Sequence, residues 1–165
     1  DLLKRHVMKM RQRLEAIEQH IASLDTEIDQ SSRRNDACVR LETVPGIGRL
    51  TASALVASIG QGHTFKSGRQ FAAWLGLVPK QNSSGGRHRL QGISKRGDGY
   101  LRRMLIHGAR AVIRHMNPKR ETTAWLTSLS ARAHRNVVIV ALANKLARIA
   151  WALLSKGGRY QPTVI

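Results

Sequence analysis

Residues 41–55 read LETVPGIGRLTASAL, a Pro-Gly-Ile-Gly turn between two segments of helical character. Gly46 and Gly48 lie one residue apart, and glycine adopts backbone conformations that other residues avoid, so the pair permits a tight helix-helix turn. The amides that open the second helix, at Arg49, would point outward, ready to bind a phosphate. A plain connector between helices is the alternative interpretation.

The same turn resembles the hairpin of helix-hairpin-helix modules, which grip nucleic-acid backbone without reading sequence. Gly46, Gly48 and Arg49 are therefore candidate nucleic-acid-binding residues.

The segment before the turn predicts a long coiled-coil helix. Its apolar residues recur at alternating spacings of 4 and 3, with polar residues between them, which is typical of a left-handed coiled coil. We expect pairing between molecules or with an antiparallel helix; a long helix packed on its own domain is the alternative. The SSRRN string at 31–35 predicts a bend or end before a short helix through Glu42. The heptad positions are Leu3, Val7, Met10, Leu14, Ile17, Ile21, Leu24 and Ile28.

The segment after the turn predicts further helices around one turn-rich insertion. Ser67 is a candidate N-cap for a short helix through Trp74, with Phe71, Trp74 and Leu75 in the core. Residues 76–92 are rich in turn formers and predict an ordered loop or a small β-hairpin.

Three more helices are predicted beyond the insertion. The first runs from the N-cap Asp98 to about Met116, with Leu101, Met104, Leu105, Gly108, Val112 and His115 on one face and Arg103, Arg110 and Arg114 on another. The second spans 119–133. The third runs from about Asn136 to Ser155 and ends at Gly157 and Gly158; its core positions are Ile139, Leu142, Leu146, Ile149 and Leu153.

The charge of the chain divides into two regions. Its 165 residues contain 28 Lys and Arg against 10 Asp and Glu, a formal net charge of +18. Residues 1–45 hold 8 bases and 8 acids, so the remaining 20 bases and 2 acids, and all of the net charge, lie in residues 46–165. Such self-repulsion is offset best by a polyanion, and we expect the basic region to bind nucleic acid.

The small number of acidic residues and cysteines excludes several kinds of site. After residue 45 only Asp98 and Glu121 remain, too few for the carboxylate cluster of two-metal phosphoryl transfer. The single cysteine, Cys38, excludes an internal disulfide, and the histidines lack metal-ligand spacing, so we expect no metal in this chain. No apolar run approaches the roughly 20 residues of a membrane span, which favours a soluble protein of a reducing compartment.

Residues 82–97 concentrate side chains suited to chemistry on a phosphodiester. Ser84 is followed by Gly85 and Gly86, which let backbone approach a phosphate, and a serine hydroxyl could attack phosphorus. His88 could serve as its base or as a leaving-group acid. A solvated Ser-Ser-Gly-Gly turn is the alternative. Cations that would disperse charge on phosphorus follow at Arg87, Arg89, Lys95 and Arg96.

Five strings, taken in order and spacing, resemble the C-terminal transposase domain of one insertion-sequence family. That family comprises the "one-ten" and "eleven-eleven" elements and the related Piv DNA invertase. The resemblance covers about residues 41–155, and the upstream heptads resemble the family's middle segment. The strings are VPGIG at 44–48, FAAWLGLVP at 71–79, SSGG at 83–86, GISKRG at 92–97 and YLRR at 100–103.

The resemblance implies a covalent mechanism. Members of the family are DNA recombinases in which a RuvC-like domain with four acidic metal ligands precedes a coiled coil and a serine-containing domain. By this resemblance Ser84 is the nucleophile that attacks DNA, leaving a phosphoserine bond and a free 3′-OH, and Ser83 takes that role if the alignment slips by one. The nucleic-acid-binding residues would be Gly46, Gly48, Arg49, Gly85, Arg87, Arg89, Lys95, Arg96, Arg102 and Arg103.

We therefore expect a mainly α fold, with a coiled coil over 1–40 and a helical transposase domain over 41–165 that carries a helix-hairpin-helix-like turn and a small loop or β-hairpin insertion. The RuvC-like domain, where magnesium would bind, is absent from this chain, which alone would be inactive or weakly active.

The resemblance implies DNA and a structured guide (bridge) RNA as partners, and the heptads predict a second copy through the coiled coil; no membrane partner is expected. The expected location is the bacterial cytoplasm, at the nucleoid. A non-catalytic DNA- or RNA-binding and dimerisation module, with Ser84 only a turn residue, is the alternative.

Overall fold

Helices dominate the structure, as predicted. The computed structural model describes residues 1–81, 90–115 and 124–161, and within them there are seven helices and one two-stranded antiparallel sheet. The elements are α1 (Leu2–Arg33), α2 (Asp36–Glu42), α3 (Arg49–Ile59), α4 (Gly68–Trp74), β1 (Pro79–Gln81), β2 (Leu90–Ile93), α5 (Gly99–Arg114), α6 (Ala124–Arg132) and α7 (Arg135–Lys156).

The long helix α1 is anchored at its C-terminal end. Residues 1–27 are all exposed, whereas Ser32 is buried and its hydroxyl donates to Glu42 Oε1 at 2.6 Å. Contacts with α2 and α3 hold this end on the body of the fold. At about 1.5 Å per residue a helix of this length extends about 48 Å. Its end at Arg33, inside the SSRRN string, agrees with the predicted break.

The core is built around α7. This helix packs against α2, α4, α5 and α6 within the described chain. Ala143, Ala147 and Ala150 lie on its buried side, and such small residues let neighbouring helices approach closely. At the start of α4, a Cβ on Gly68 would lie 3.1 Å from Arg148 Cα, so these two backbones nearly touch. Fully buried side chains from the other helices complete the core, among them Leu41, Leu55, Phe71, Leu101 and Leu105.

Polar side chains cap four of the described helices, and at the start of α7 the cap is His134, which accepts the Asn136 amide. Ser67 accepts the Gln70 amide at the start of α4, and Asp98 accepts the Tyr100 and Leu101 amides at the start of α5. Both caps confirm the predicted helix starts. Asn35 likewise caps α2 by accepting the amides of Ala37 and Cys38.

Two core assignments differ from the prediction. On α5 the buried face is formed by Leu101, Leu105 and Ala109, and His115 is exposed because the helix ends at Arg114. Trp74 is 39% exposed, although its ring stacks on Phe71 with a centroid separation of 6.0 Å.

Helix α7 is long and apolar enough to span a membrane, although Lys145 and Arg148 interrupt its apolar residues. Half of the span is buried inside the protein, against α4 and α5. A core helix meets the same criteria of length and composition, and this burial identifies α7 as one.

Candidate nucleic-acid interface and serine hairpin

The Pro-Gly-Ile-Gly turn connects α2 to α3 and docks on α5. Val44 and Ile47 are buried and fix its two sides, while Gly46 adopts a φ of +92° that favours glycine. A Cβ on Gly108 would lie 1.9 Å from the Gly46 carbonyl oxygen, so the two backbones are in direct contact. Gly46 is therefore favoured by its positive φ and Gly108 is required by packing, and this contact between the turn and α5 was not predicted.

Gly48 and Arg49 lie where the turn enters α3. Gly48 is the exposed N-cap residue, and a Cβ there would meet nothing within 4 Å, so packing does not require glycine. Arg49 forms ion pairs with Asp29 of α1 and Glu42 of α2. Its guanidinium thus joins three helices, a structural role that the sequence did not reveal, and it remains about half exposed.

The insertion is a β-hairpin whose base is fastened to the body. Strands β1 and β2 pair antiparallel, with Pro79 opposite Ile93 and an irregularity before Gln81. Below them the Ser94 amide donates to the Val78 carbonyl at 2.8 Å. This arrangement confirms the hairpin alternative of the prediction.

At the base of the hairpin, backbone segments approach so closely that Gly76 and Gly97 have no room for a side chain. The Lys95 amide donates to the Gly76 carbonyl at 3.1 Å, and a Cβ on Gly76 would lie 2.3 Å from the Arg96 oxygen. A Cβ on Gly97 would lie 1.8 Å from the Trp74 oxygen. The segment after β2 is therefore locked against the end of α4.

Arg102 acts as a clamp on this base. Its Nη1 donates to the Leu75 carbonyl at 3.0 Å and to the Arg96 carbonyl at 3.3 Å. The side chain is partly buried, so the predicted nucleic-acid contact competes with a structural role. Lys95 and Arg96 remain exposed, and Lys95 has a φ of +55°, a conformation that non-glycine residues rarely adopt.

The outer face of α5 is basic. Arg103, Arg110 and Arg114 are exposed along it, as their predicted shared face requires, and exposed His107 lies between them. The α5 basic face, defined by these four residues, contains no acid. Spacings of three and four along a helix align such side chains in a row suited to successive phosphates.

The predicted nucleophile falls outside the described residues. Residues 82–89 follow β1 and precede β2 in the chain, and they contain six predicted site residues: Ser83, Ser84, Gly85, Arg87, His88 and Arg89. Their predicted roles therefore stay predictions. The structure describes the two segments that flank them, from Gly76 to Gln81 and from Leu90 to Gly97.

The described residues do not fit a bound metal. Across 1–81, 90–115 and 124–161 there is no group of three or more His, Cys, Asp or Glu side chains that could hold one. Burial raises the pKa of the Cys38 thiol, against a smaller opposing effect of its hydrogen bond with Ser32. A protonated thiol is a poor ligand and a poor nucleophile, so Cys38 belongs to the core.

Residues 38–124, from α2 to the first residue of α6, match the model of the transposase IS116/IS110/IS902 family. The chain belongs to this family. The match contains the Pro-Gly-Ile-Gly turn, the hairpin and α5, and it confirms the resemblance found in the sequence.

Curated relatives give the same assignment. A probable family 20 transposase of Pseudomonas aeruginosa is 52% identical over 155 residues, which cover 93% of this chain and 46% of that protein. The transposase for insertion sequence element IS1111A of Coxiella burnetii is 45% identical over 86% of this chain and 39% of its own length. A more distant relative, the pilin gene-inverting protein of Moraxella bovis, is 28% identical over 92% of this chain and 53% of its own. The chain thus spans about half the length of the curated relatives it matches.

Proposed function

We propose that this chain is the serine-containing part of a DNA transposase or recombinase, in which Ser84 attacks a DNA phosphodiester. The observation that carries the proposal is the anchored hairpin. In a family of transposases, a Ser-Ser-Gly-Gly sequence joins two strands whose base is fixed by backbone contacts and by Arg102. A nucleophile needs such a rigid support, because small displacements of reacting atoms are costly in rate.

The chemical step exchanges one ester bond for another. The Ser84 oxygen forms a bond to phosphorus, the bond from phosphorus to the 3′ oxygen breaks, and the 5′ phosphate stays on the serine. The hydroxyl proton leaves to solvent or to a base such as His88, and the departing 3′ oxygen takes up a proton. The reverse attack, by a 3′-OH of another strand, rejoins the DNA and releases the serine. No oxidant or external energy source is needed because the ester bond is conserved.

Basic groups around the hairpin supply the charge stabilisation. Lys95 and Arg96 are exposed at its base, and Arg103 begins the α5 basic face. Arginine donors that lie near a phosphate stabilise the extra negative charge of the transition state. Arg87 and Arg89 would act from residues 82–89 themselves.

The active complex would also need pairing through α1, a guide RNA and a magnesium site. The heptad positions of α1 are exposed from Leu3 to Leu24, as an unpaired coiled-coil helix requires, and a second copy would cover them. A structured guide RNA would bind the basic region beside the DNA. Magnesium would be held by the acidic residues of a RuvC-like domain, and the complex would work in the bacterial cytoplasm at the nucleoid.

The direct test is recombination by serine variants of the protein expressed in full. Ser84→Ala should abolish strand exchange while leaving DNA and RNA binding within about twofold of the wild type, since only the nucleophile is removed. Ser83→Ala, a matched change at the adjacent residue, should retain activity. Undiminished recombination by Ser84→Ala would contradict the proposal and would favour a non-catalytic binding module.

A further inference from the structure

An unassigned groove lies between the hairpin base, the start of α6 and the outer side of α7. It has a volume of about 1150 Å³, above the roughly 300–1,000 Å³ of most small-molecule sites. Lys80 of β1 and Gln91 of β2 lie on its wall, so it begins at the hairpin itself. A groove of this size and position suits an extended ligand that also reaches the hairpin.

The groove has an apolar floor and one aromatic side. The floor is formed by side chains of α7, including Val137, Val140 and Ile149. Trp125 stands at the side and is 43% exposed, although the Lys145 ammonium lies 4.7 Å from its ring centroid. Val137 is 56% exposed at the start of α7. An aromatic ring left this open beside apolar side chains is suited to stack on a planar group.

The charge of the lining is of one sign. Lys80, Lys95, Lys145 and Arg148 line the groove, and no aspartate or glutamate is among its lining residues in the described chain. Four cations around an apolar floor favour a ligand that is both polyanionic and apolar. Single-stranded nucleic acid has this combination, because its phosphates are charged and its unpaired bases expose stacking faces.

We propose that this groove holds an unpaired DNA strand, with a base stacked on Trp125 and phosphates beside the four cations. Duplex DNA would keep its bases paired and away from the ring. The choice of DNA over RNA rests on the proposed function, in which Ser84 attacks a DNA strand next to this groove. The strand would extend from the groove toward the hairpin.

The first test measures binding of a dye-labelled thymidine strand of about 15 nucleotides, within the size range of single-strand sites, by fluorescence anisotropy. Trp125→Ala should weaken binding about 5- to 100-fold, as expected when a stacked base is lost. Trp125→Phe, which keeps an aromatic face, should stay within about threefold of the wild type. Equal affinity of the wild type and Trp125→Ala would overturn the proposal.

A second pair of variants tests the groove without altering the ring. Val137→Glu places a negative charge at the groove and should weaken strand binding about tenfold or more. The matched control, Val39→Glu, adds the same charge on α2 beside Gly158 and Arg159, at the opposite end of α7, and should change binding little. Both positions are exposed, so both variants should fold.

Other occupants give different outcomes. Tighter binding of a uridine RNA strand of the same length, lost in Trp125→Ala, would overturn the assignment to DNA. If Val137→Glu changes the mass in light scattering but not strand binding, the groove is a protein-docking surface and the proposal fails. Ser84→Ala should bind the strand as the wild type does, so a failure of the serine chemistry is distinguishable from a failure of the groove.

Discussion

At the scale of single residues, Gly46 and Gly108 make the contact that joins the Pro-Gly-Ile-Gly turn to α5. Gly46 needs its positive φ, and Gly108 needs the absence of a side chain, because its Cβ would overlap the Gly46 carbonyl. Gly108 sits inside a helix, where glycine is normally the less stable choice by about 1 kcal/mol relative to alanine. Its presence there is explained by the close approach of the turn.

We predict that Gly108→Ala destabilises the fold by about 1–3 kcal/mol, although alanine favours helices, because the turn must move away. Thermal or urea unfolding measures this change. Gly92→Ala is the control: a Cβ there meets nothing within 4 Å, and its stability should be unchanged or slightly higher. A stability gain in Gly108→Ala would show that the contact is absent.

Alanine variants of two adjacent arginines should distinguish a structural role from a nucleic-acid-binding role. Arg102→Ala removes the bonds to the Leu75 and Arg96 carbonyls and should cost about 2 kcal/mol of stability. Arg103→Ala removes an exposed cation, so stability should hold while the slope of log affinity against log salt falls by about 0.9, one phosphate contact. Equal stability of the two variants would contradict the clamp. An unchanged salt slope in Arg103→Ala would contradict the phosphate contact.

At the scale of elements, α1 presents an apolar stripe that its own domain leaves uncovered. Leu14 and Ile17, in the middle of the helix, are each 56% exposed. The ion pairs of Asp29 with Arg33 and Arg49 fix the C-terminal end of α1 and leave the rest free to pair.

If α1 pairs through this stripe, charges introduced on the stripe should disrupt assembly, whereas charges on the opposite side of the helix should not. Ile17→Lys with Leu24→Lys should convert the assembly to monomers in light scattering, because buried heptad positions do not tolerate unpaired charge. Gln12→Lys with Gln19→Lys adds the same charge on the opposite side of the helix and should leave the mass unchanged. An unaltered mass in the heptad variant would show that α1 does not pair through the stripe.

Helix positions were predictable where local signals were strong. The heptads of α1, the caps Ser67 and Asp98, and the glycines after α7 placed helix boundaries to within a few residues, because each signal acts within one or two turns. The roles of Arg49 and Arg102 were not predictable, since their partners are Asp29 and the Leu75 carbonyl, both distant in sequence. The groove beside Trp125 was missed for the same reason: it joins a hairpin to two helices.

At the scale of the whole molecule, the boundary between the neutral and the basic part of the sequence coincides with a boundary in the structure. The neutral first 45 residues form α1 and α2, and the region with the net charge of +18 forms the body with the hairpin, the α5 basic face and the groove. Positive charge therefore lies beside the two strands that flank residues 82–89 in the chain. If the proposed serine chemistry is right, Ser84 itself becomes bonded to DNA during the reaction.

The most direct measurement is to trap that bond. The protein expressed in full is mixed with DNA of its element ends, quenched in denaturant, digested and analysed by mass spectrometry for a nucleotide adduct. We predict an adduct on the peptide that contains Ser84, lost in Ser84→Ala and kept in Ser83→Ala. An adduct on another residue, or recombination that proceeds with no protein–DNA bond, would contradict the account.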